Sequence, residues 1–281
     1  MPRSALLLAL CLASSAVLAG CQKEDHPPYA VACETDCKPT PIISIGSAPG
    51  GSTPVTPPTD AGFEAGTLTG NVLALNDDTF GRAAAFSQPA TVSADGATGS
   101  PVSGTWNGTT PYVLSGVAVV GTNWLSVAPS NVQGDALPTL QAVQTSATDT
   151  ADLYVVDTAV IDGVLTAVSA SRAPALGQVV LFFRNAGTGA ALSGLQVVMN
   201  AAEAPAYAAA SGWVSPDDTT VTSASGLVVF GNVVLPNAGS TTQTLSVTRL
   251  ATATTPAASG GQFSVKVVEG AVTVATIPVQ L

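Results

Sequence analysis

Val179-Val180-Leu181-Phe182-Phe183 is the stretch that decides the fold, because an unbroken apolar run of β-branched and aromatic residues is typical of a strand buried on both faces. Turn residues follow at Asn185-Ala186-Gly187-Thr188-Gly189, and Leu195-Gln196-Val197-Val198-Met199 has the composition of the next strand. Similar short apolar runs, broken by turn residues at roughly 8–12 positions, extend in both directions. This spacing predicts a mainly β chain built from sandwiches.

Composition shifts along the chain predict five segments. The C-terminal part of the chain contains the apolar run at 179–183, and the part before it has apolar runs and turn residues at a similar spacing. A stretch rich in Pro, Gly, Ser and Thr precedes both parts. We therefore predict two β-sandwich domains of prealbumin or immunoglobulin type, joined by a single helix, after a disordered tether. The predicted bounds are a leader at 1–20, the tether at 21–61, the first sandwich at 62–148, the linking helix at 149–173 and the second sandwich at 174–281.

The linking segment differs from its neighbours because its apolar residues recur at spacings of three and four, which is one face of a helix. Asp149 or Thr150 could cap the N-terminus of this helix. The residues that define the predicted face are Leu153, Val156, Val160, Val164 and Val168.

The N-terminal residues have the features of a bacterial secretory leader. Arg3 supplies a positive charge, an apolar stretch follows, and Leu18-Ala19-Gly20-Cys21 resembles the lipobox of bacterial lipoproteins. The resemblance implies that Cys21 becomes the first mature residue and carries acyl chains, which insert into a membrane. Gln22 follows the cysteine in place of the aspartate that would signal inner-membrane retention. We therefore expect a lipid-anchored protein of the cell envelope, with the outer membrane favoured over the inner.

Two further cysteines, Cys33 and Cys37, lie in the tether with three residues between them. In an oxidising envelope such a pair is expected to form a small local disulfide. The alternative is a metal pair, although two thiols without further ligands make a poor metal site.

Charge and side-chain chemistry exclude several function classes for the body of the chain. The protein has 18 acidic and 8 basic residues and a net charge of -10, which argues against a nucleic-acid partner. Its one histidine is His26, and no cysteine follows Cys37. Catalysis by Ser-His or Cys-His pairs and zinc bound by His or Cys are therefore excluded beyond the tether. We predict no cofactor and no enzymatic activity, with a carboxylate-dependent hydrolase as the alternative.

Segments in both sandwiches resemble a known family. Residues 188–197, beginning Thr188-Gly189 and ending Val197, are similar to the opening strand of carboxypeptidase regulatory-like domains, and residues 222–233, with Gly226 and Phe230, to a later strand. Residues 112–127 in the first body are similar to a third segment of that family. The resemblance implies a transthyretin-like β-sandwich that serves as an accessory module and carries no catalytic residues. Bacterial adhesin stalk domains share these turn and core patterns.

A few residues are candidates for ligand contact, each with a structural alternative. Two acidic pairs could contribute to calcium sites at the ends of the sandwiches, or they could form turns: Asp77 with Asp78, and Asp217 with Asp218. Among the tryptophans, Trp106 and Trp213 are the candidates for stacking on a sugar, because Trp124 lies on an apolar strand. Packing in the core is the alternative for both.

These observations together predict a lipid-anchored envelope protein of structural or binding type. It would contact the membrane through acyl chains and present two non-catalytic modules to a protein or a polysaccharide of the envelope. A small-ligand or calcium carrier is a further alternative.

Overall fold

Strands dominate the residues that the computed structural model describes, as the sequence predicts. These residues are 63–77, 79–81, 83–119, 121–130, 135–217, 219–236, 239–252 and 254–281. The predicted leader and the whole of the predicted tether lie outside them. So do five of the candidate residues, namely Cys21, Cys33, Cys37, Asp78 and Asp218.

Nineteen strands and one helix form within the described ranges. Strands β1 to β11 are, in chain order, Ala65–Gly70, Val72–Leu75, Ala83–Ala85, Ala90–Ala94, Val102–Trp106, Tyr112–Ala118, Gly121–Pro129, Ala136–Leu137, Thr139–Thr145, Thr148–Thr150 and Leu153–Asp157. The helix α1 is Thr158–Ala167. Strands β12 to β19 are Gly177–Asn185, Leu195–Val198, Ala202–Ala209, Gly212–Val214, Leu227–Val233, Ser240–Arg249, Ala258–Val268 and Val272–Val279.

The largest sheet has nine strands in the order β15-β14-β16-β12-β19-β9-β7-β4-β5. Three smaller sheets, β13-β17-β18, β10-β1-β6 and β3-β2-β11-β8, complete the described fold. The sheet β13-β17-β18 shares one apolar core with strands β14, β16, β12 and β19 of the large sheet. The two small sheets of the first half share another with its strands β7, β4 and β5. We call these the second core and the first core.

Strand β12 explains why residues 179–183 are continuously apolar. Val179, Leu181 and Phe183 belong to the second core, whereas Val180 belongs to a third apolar cluster around α1, which we call the helix core. Because alternate side chains of a strand point to opposite faces, a strand that is covered on both faces needs apolar residues at every position. The prediction of a buried strand is confirmed for four of the five residues of the run, and the fifth, Phe182, is partly buried.

The two predicted sandwiches share the nine-stranded sheet. Strand β9 of the first half pairs in parallel with β19 of the second, with Thr139 opposite Val272 and Gln141 opposite Val274. Hydrogen bonds therefore run from one half to the other without a break, and the described residues from 63 to 281 form one compact unit.

The linking helix is shorter than the predicted 149–173 and begins at Thr158. Residues 153–157 form β11, which pairs in parallel with β2, so Leu153 and Val156 are strand residues. The N-cap is Asp157, and the capping role predicted for Asp149 or Thr150 is wrong, because residues 148–150 form β10. The β-branched residues of this segment favour a strand. Val160 and Val164 do lie on the buried face of the helix, as predicted.

Candidate functional site

Two adjoining clefts border the first turn of α1. The larger, of about 600 Å³, and the smaller, of about 460 Å³, have Asn76, Asp157 and Ala159 in common. We call the two clefts together the helix groove. The larger is also lined by Ala74, Ala84, Ala85, Phe86, Ser87, Gln88, Asp135, Thr158 and Asp162, and the smaller by Val160, Gly163, Ala167, Ser211, Gly212 and Trp213.

Strand pairing brings the polar residues of the groove together. Leu75 lies opposite Val156 in the parallel pair β2–β11. Asn76 and Asp157 are the next residues along these two segments, so they lie side by side at the same end of the pair. The backbone N–H of Thr158 donates to the carbonyl oxygen of Asp135 at 3.0 Å, which holds Asp135 beside the start of the helix. Two carboxylates from distant parts of the sequence therefore line one cleft.

The carboxyl of Asp157 has an unusual environment for an N-cap residue. Its side chain makes no capping hydrogen bond, although its backbone has the extended conformation that the position requires. Partial burial raises the pKa of Asp157, and the negative charge of Asp135 raises it further. Both effects disfavour the ionised form, so Asp157 keeps its proton to a higher pH than an ordinary aspartate.

Asp162, the third carboxylate of the groove, is paired with a base. The Nε of Arg172 lies 2.8 Å from its Oδ1. Because Asp162 is half exposed, this pair contributes only about 0–1 kcal/mol to stability. The ion pair offsets the charge of Asp162, which leaves Asp135 and Asp157 as the main source of negative potential in the groove.

Trp213 forms an aromatic wall at the other end of the helix groove. It lies on β15, an edge strand of the nine-stranded sheet, and packs partly buried against the helix core. Its ring meets that of Phe80 edge to face, with centroids 6.0 Å apart and an angle of 86°. An aromatic surface beside amide, hydroxyl and carboxylate groups is a common composition for a small-molecule site.

Trp106, the other candidate for sugar stacking, is buried in the first core. Only 2% of its surface is exposed, and its indole Nε1 donates to the carbonyl oxygen of Phe86 at 2.7 Å. The interpretation of Trp106 as an exposed contact residue is wrong, because β5 turns this side chain into the core. The structure does not bring Trp106 and Trp213 into one site.

The described members of the two acidic pairs form local turns. Oδ1 of Asp77 accepts the backbone N–H and the hydroxyl of Thr79. Oδ1 of Asp217 accepts hydrogen bonds from Thr219 and Thr220, and these bonds, led by the Thr220 hydroxyl, lower the pKa of Asp217 to about 2. Within the described ranges, no three His, Cys, Asp or Glu residues are placed to hold a metal ion. The geometry around Asp77 and Asp217 agrees with the turn alternative.

The sequence carried only part of the signal for the helix groove. An aspartate and a threonine directly before an apolar helical face are an N-terminal capping pattern, which could have identified Asp157. The approach of Asp135 depends on the pairing of β8 with β11, and Asn76 on the parallel pairing of β2 with β11. Such long-range pairings leave no local trace in one sequence.

No family model matches the chain, and no curated protein sequence matches it. The resemblance to carboxypeptidase regulatory-like domains therefore stays a prediction. Among solved structures, the shaft pilin SpaA from Lactobacillus rhamnosus GG is 11% identical, with a TM-score of 0.23, over 75% of this chain and 97% of that one.

Two further pilins are similar at the same level. A streptococcal ancillary pilin is 13% identical over 77% of this chain and 69% of its own, with a TM-score of 0.22. The pilus backbone protein RrgB from Streptococcus pneumoniae is 12% identical over 75% and 64%, with a TM-score of 0.21. The β-sandwich architecture of this chain rests on the sheets and cores described above.

The described part of the chain has no helix with the length and apolar character needed to cross a membrane.

Proposed function

We propose that this protein is a lipid-anchored component of a bacterial envelope that binds a polysaccharide in the helix groove by non-covalent contacts. The observation that carries the proposal is the placement of Trp213, Asn76 and Asp157 around one cleft of about 460 Å³. The flat face of a sugar ring packs on an indole, and its hydroxyls bond to amide and carboxylate groups.

The charge of the body supports a neutral partner. Residues 61–281 contain 13 acidic and 5 basic side chains, which is far below the charged fraction of an ordinary soluble domain. A weakly charged surface gives little electrostatic attraction to a strongly ionic polymer. A neutral or weakly charged polysaccharide therefore suits it better than a nucleic acid.

Replacement of Cys21 by alanine is expected to move the protein from the membrane to the soluble fraction, because two or more acyl chains give stable anchoring and the variant would have none. Cell fractionation and labelling with a radioactive fatty acid would measure this change. Cys33→Ala is the matched control and should stay with the membrane. Retention of Cys21→Ala in the membrane would contradict the lipid anchor, and a density gradient would assign the wild type to the inner or the outer membrane.

Replacement of Trp213 by alanine is expected to weaken binding to the polysaccharide by about tenfold or more, which corresponds to about 1.4 kcal/mol of lost contact energy. The measurement is co-sedimentation with purified peptidoglycan sacculi and, separately, retardation in gels that contain a neutral glucan. Trp213→Phe should keep part of the affinity, and Val214→Ala, a neighbour on the same strand, should keep all of it. Equal binding by Trp213→Ala and the wild type would contradict the proposed site.

A carboxylate-dependent hydrolase is the second candidate, and the raised pKa of Asp157 beside Asp135 favours it. A general acid must hold its proton near the working pH, and burial beside a second carboxylate has that effect. The wild type should then release soluble sugar in the assays above, and Asp157→Asn should release none. This result would show that the protein hydrolyses the polysaccharide rather than only binding it.

A further inference from the structure

A separate cleft of about 410 Å³ lies between one face of the nine-stranded sheet and the strands β2 and β11. The residues that matter for its chemistry are Phe80, Gln141, Asp152, Tyr154, Phe182 and Arg184, with Thr276 at its margin. None of these residues lines the helix groove. The cleft is therefore a second concave site with its own chemistry.

Strand register places an arginine and an aromatic ring on the same face of this cleft. Phe182 and Arg184 are two positions apart on β12, so their side chains project to the same side. The Cζ of Arg184 lies 5.9 Å from the centroid of the Phe182 ring, which is a cation–π distance. On the neighbouring strand β19, Thr276 pairs with Phe182, and on the next strand, β9, Gln141 pairs with Val274 of β19. Three adjacent strands therefore supply polar side chains to one surface.

Among the residues that the structure describes, none accepts a hydrogen bond from the guanidinium of Arg184. The ion pair in those ranges is the one between Arg172 and Asp162, which does not involve Arg184. A guanidinium presents five N–H donors in a planar fork that matches the two oxygens of a carboxylate. The stacking on Phe182 restricts the orientation of this fork. The cleft therefore holds an arginine that is oriented but unpaired.

The other polar groups of the cleft add donors. Oε1 of Gln141 accepts the backbone N–H of Tyr154 at 2.6 Å, which leaves the amide Nε2 as the open end of a side chain that is only 6% exposed. In the described part of the chain, the hydroxyls of Tyr154 and Thr276 make no side-chain hydrogen bond. A donor-rich surface in a partly desolvated cleft favours an acceptor that carries negative charge.

The other residues that line the cleft favour a ligand with a single negative charge. Asp152 is already engaged, because its Oδ1 accepts two hydrogen bonds of 3.0 Å from Asn71, yet its negative charge stays at the cleft. A multiply charged anion would be repelled by it, whereas a single carboxylate could pair with Arg184 at lower cost. Phe182, which is partly buried, gives the rest of the ligand an apolar surface to pack on, and Phe80, which is 4% exposed, adds a small area beside it.

We infer that this cleft binds a small monocarboxylate with an apolar or aromatic body, with the carboxylate on Arg184 and the body against Phe80 and Phe182. The inference does not depend on the polysaccharide proposed for the helix groove. The net charge of -10 does not prevent entry, because repulsion is largely screened beyond about 8 Å at physiological ionic strength.

Benzoate is the probe that tests this inference. In ¹⁵N-edited NMR spectra of the full mature chain, benzoate is expected to shift the side-chain Nε–H signal of Arg184 with a Kd of about 1 mM. Benzamide has the same ring without the charge and should bind about tenfold more weakly, as should inorganic phosphate, which carries more charge.

Variants separate the cleft from general attraction to bases. Arg184→Gln should reduce benzoate affinity by about tenfold or more, and Tyr154→Phe, which removes only a hydroxyl, should reduce it severalfold. Arg172→Gln removes the same charge outside the cleft and should bind benzoate like the wild type. The inference is overturned if benzoate shifts no cleft signal, if benzamide or phosphate binds as tightly as benzoate, or if Arg172→Gln loses as much affinity as Arg184→Gln. The wild-type titration decides the question even where a variant fails to fold.

Discussion

Replacement of Phe183 by alanine is expected to lower the free energy of unfolding by about 3–5 kcal/mol. Phe183 is fully buried in the second core, on the strand β12 that lies in the middle of the nine-stranded sheet. Truncation removes the transfer energy of the ring and leaves a cavity that a close-packed sandwich cannot collapse. Urea unfolding followed by circular dichroism would measure the loss, and the Tm should fall by roughly 10 °C.

Phe63→Ala is the matched control for this prediction, because Phe63 is 59% exposed and the chemical change is the same. Its effect should stay within about 0.5 kcal/mol. If the two variants lose similar amounts of stability, the placement of β12 between two apolar layers is wrong.

The shared sheet adds a second expectation to the same experiment. Because β9 pairs with β19, loss of the second core should also disrupt the first. Unfolding of Phe183→Ala should therefore occur in one transition, seen equally by circular dichroism and by tryptophan fluorescence in a background with Trp124→Phe and Trp213→Phe, where Trp106 in the first core is the one tryptophan left. Two separate transitions, with only one of them shifted, would mean that the halves fold as independent domains.

The sequence predicted the strands whose burial is visible in their own residues. The run at 179–183 and the segment Leu227-Val228-Val229-Phe230 of β16 are apolar without a break, and both lie in strands that have apolar layers on two faces. In each case local composition and tertiary environment agree, so one sequence is enough.

Elements that depend on their neighbours were missed or misassigned. Strand β14, Ala202–Ala209, is rich in alanine, which has low β-propensity, and it forms because β16 and β15 pair with it on both sides. Residues 153–156 show a helical spacing by chance, since Leu153 and Val155 face the first core and Val156 faces the helix core. Pairing with β2 overrides the periodicity.

The same limit applies to the sites. Trp213 could be singled out from the sequence, because tryptophan is scarce, but its distinction from Trp106 depends on which face of a strand each occupies. Asp135 and Arg184 are single charged residues with no local motif, and the capping pattern around Asp157 does not indicate that Asp135 lies beside it. Their roles arise from strand register, and register is fixed by packing over the whole chain.

Replacement of Gly226 by alanine is expected to lower the free energy of unfolding by about 3 kcal/mol or more, for two reasons that add. Gly226 has a φ of +66°, a left-handed conformation that costs an L-residue about 1–2 kcal/mol. A Cβ would also lie 2.5 Å from the carbonyl oxygen of Phe183, which is backbone and cannot rotate away. That carbonyl accepts the N–H of Leu192, so relief of the clash would break a strand contact.

Gly189→Ala separates the two causes, because Gly189 has a similar φ of +71° and its Cβ would meet nothing within 4 Å. Its free energy of unfolding should fall only by the cost of the left-handed conformation, which is about 1–2 kcal/mol. Alanine also restricts the unfolded chain, which offsets part of this loss. Urea denaturation of both variants measures the difference, which isolates the approach of Gly226 to Phe183. Equal losses would mean that the backbone here has room for a side chain. The glycine that resembles a family motif would then be required only for its conformation, and not for the packing of β12 against the turn before β16.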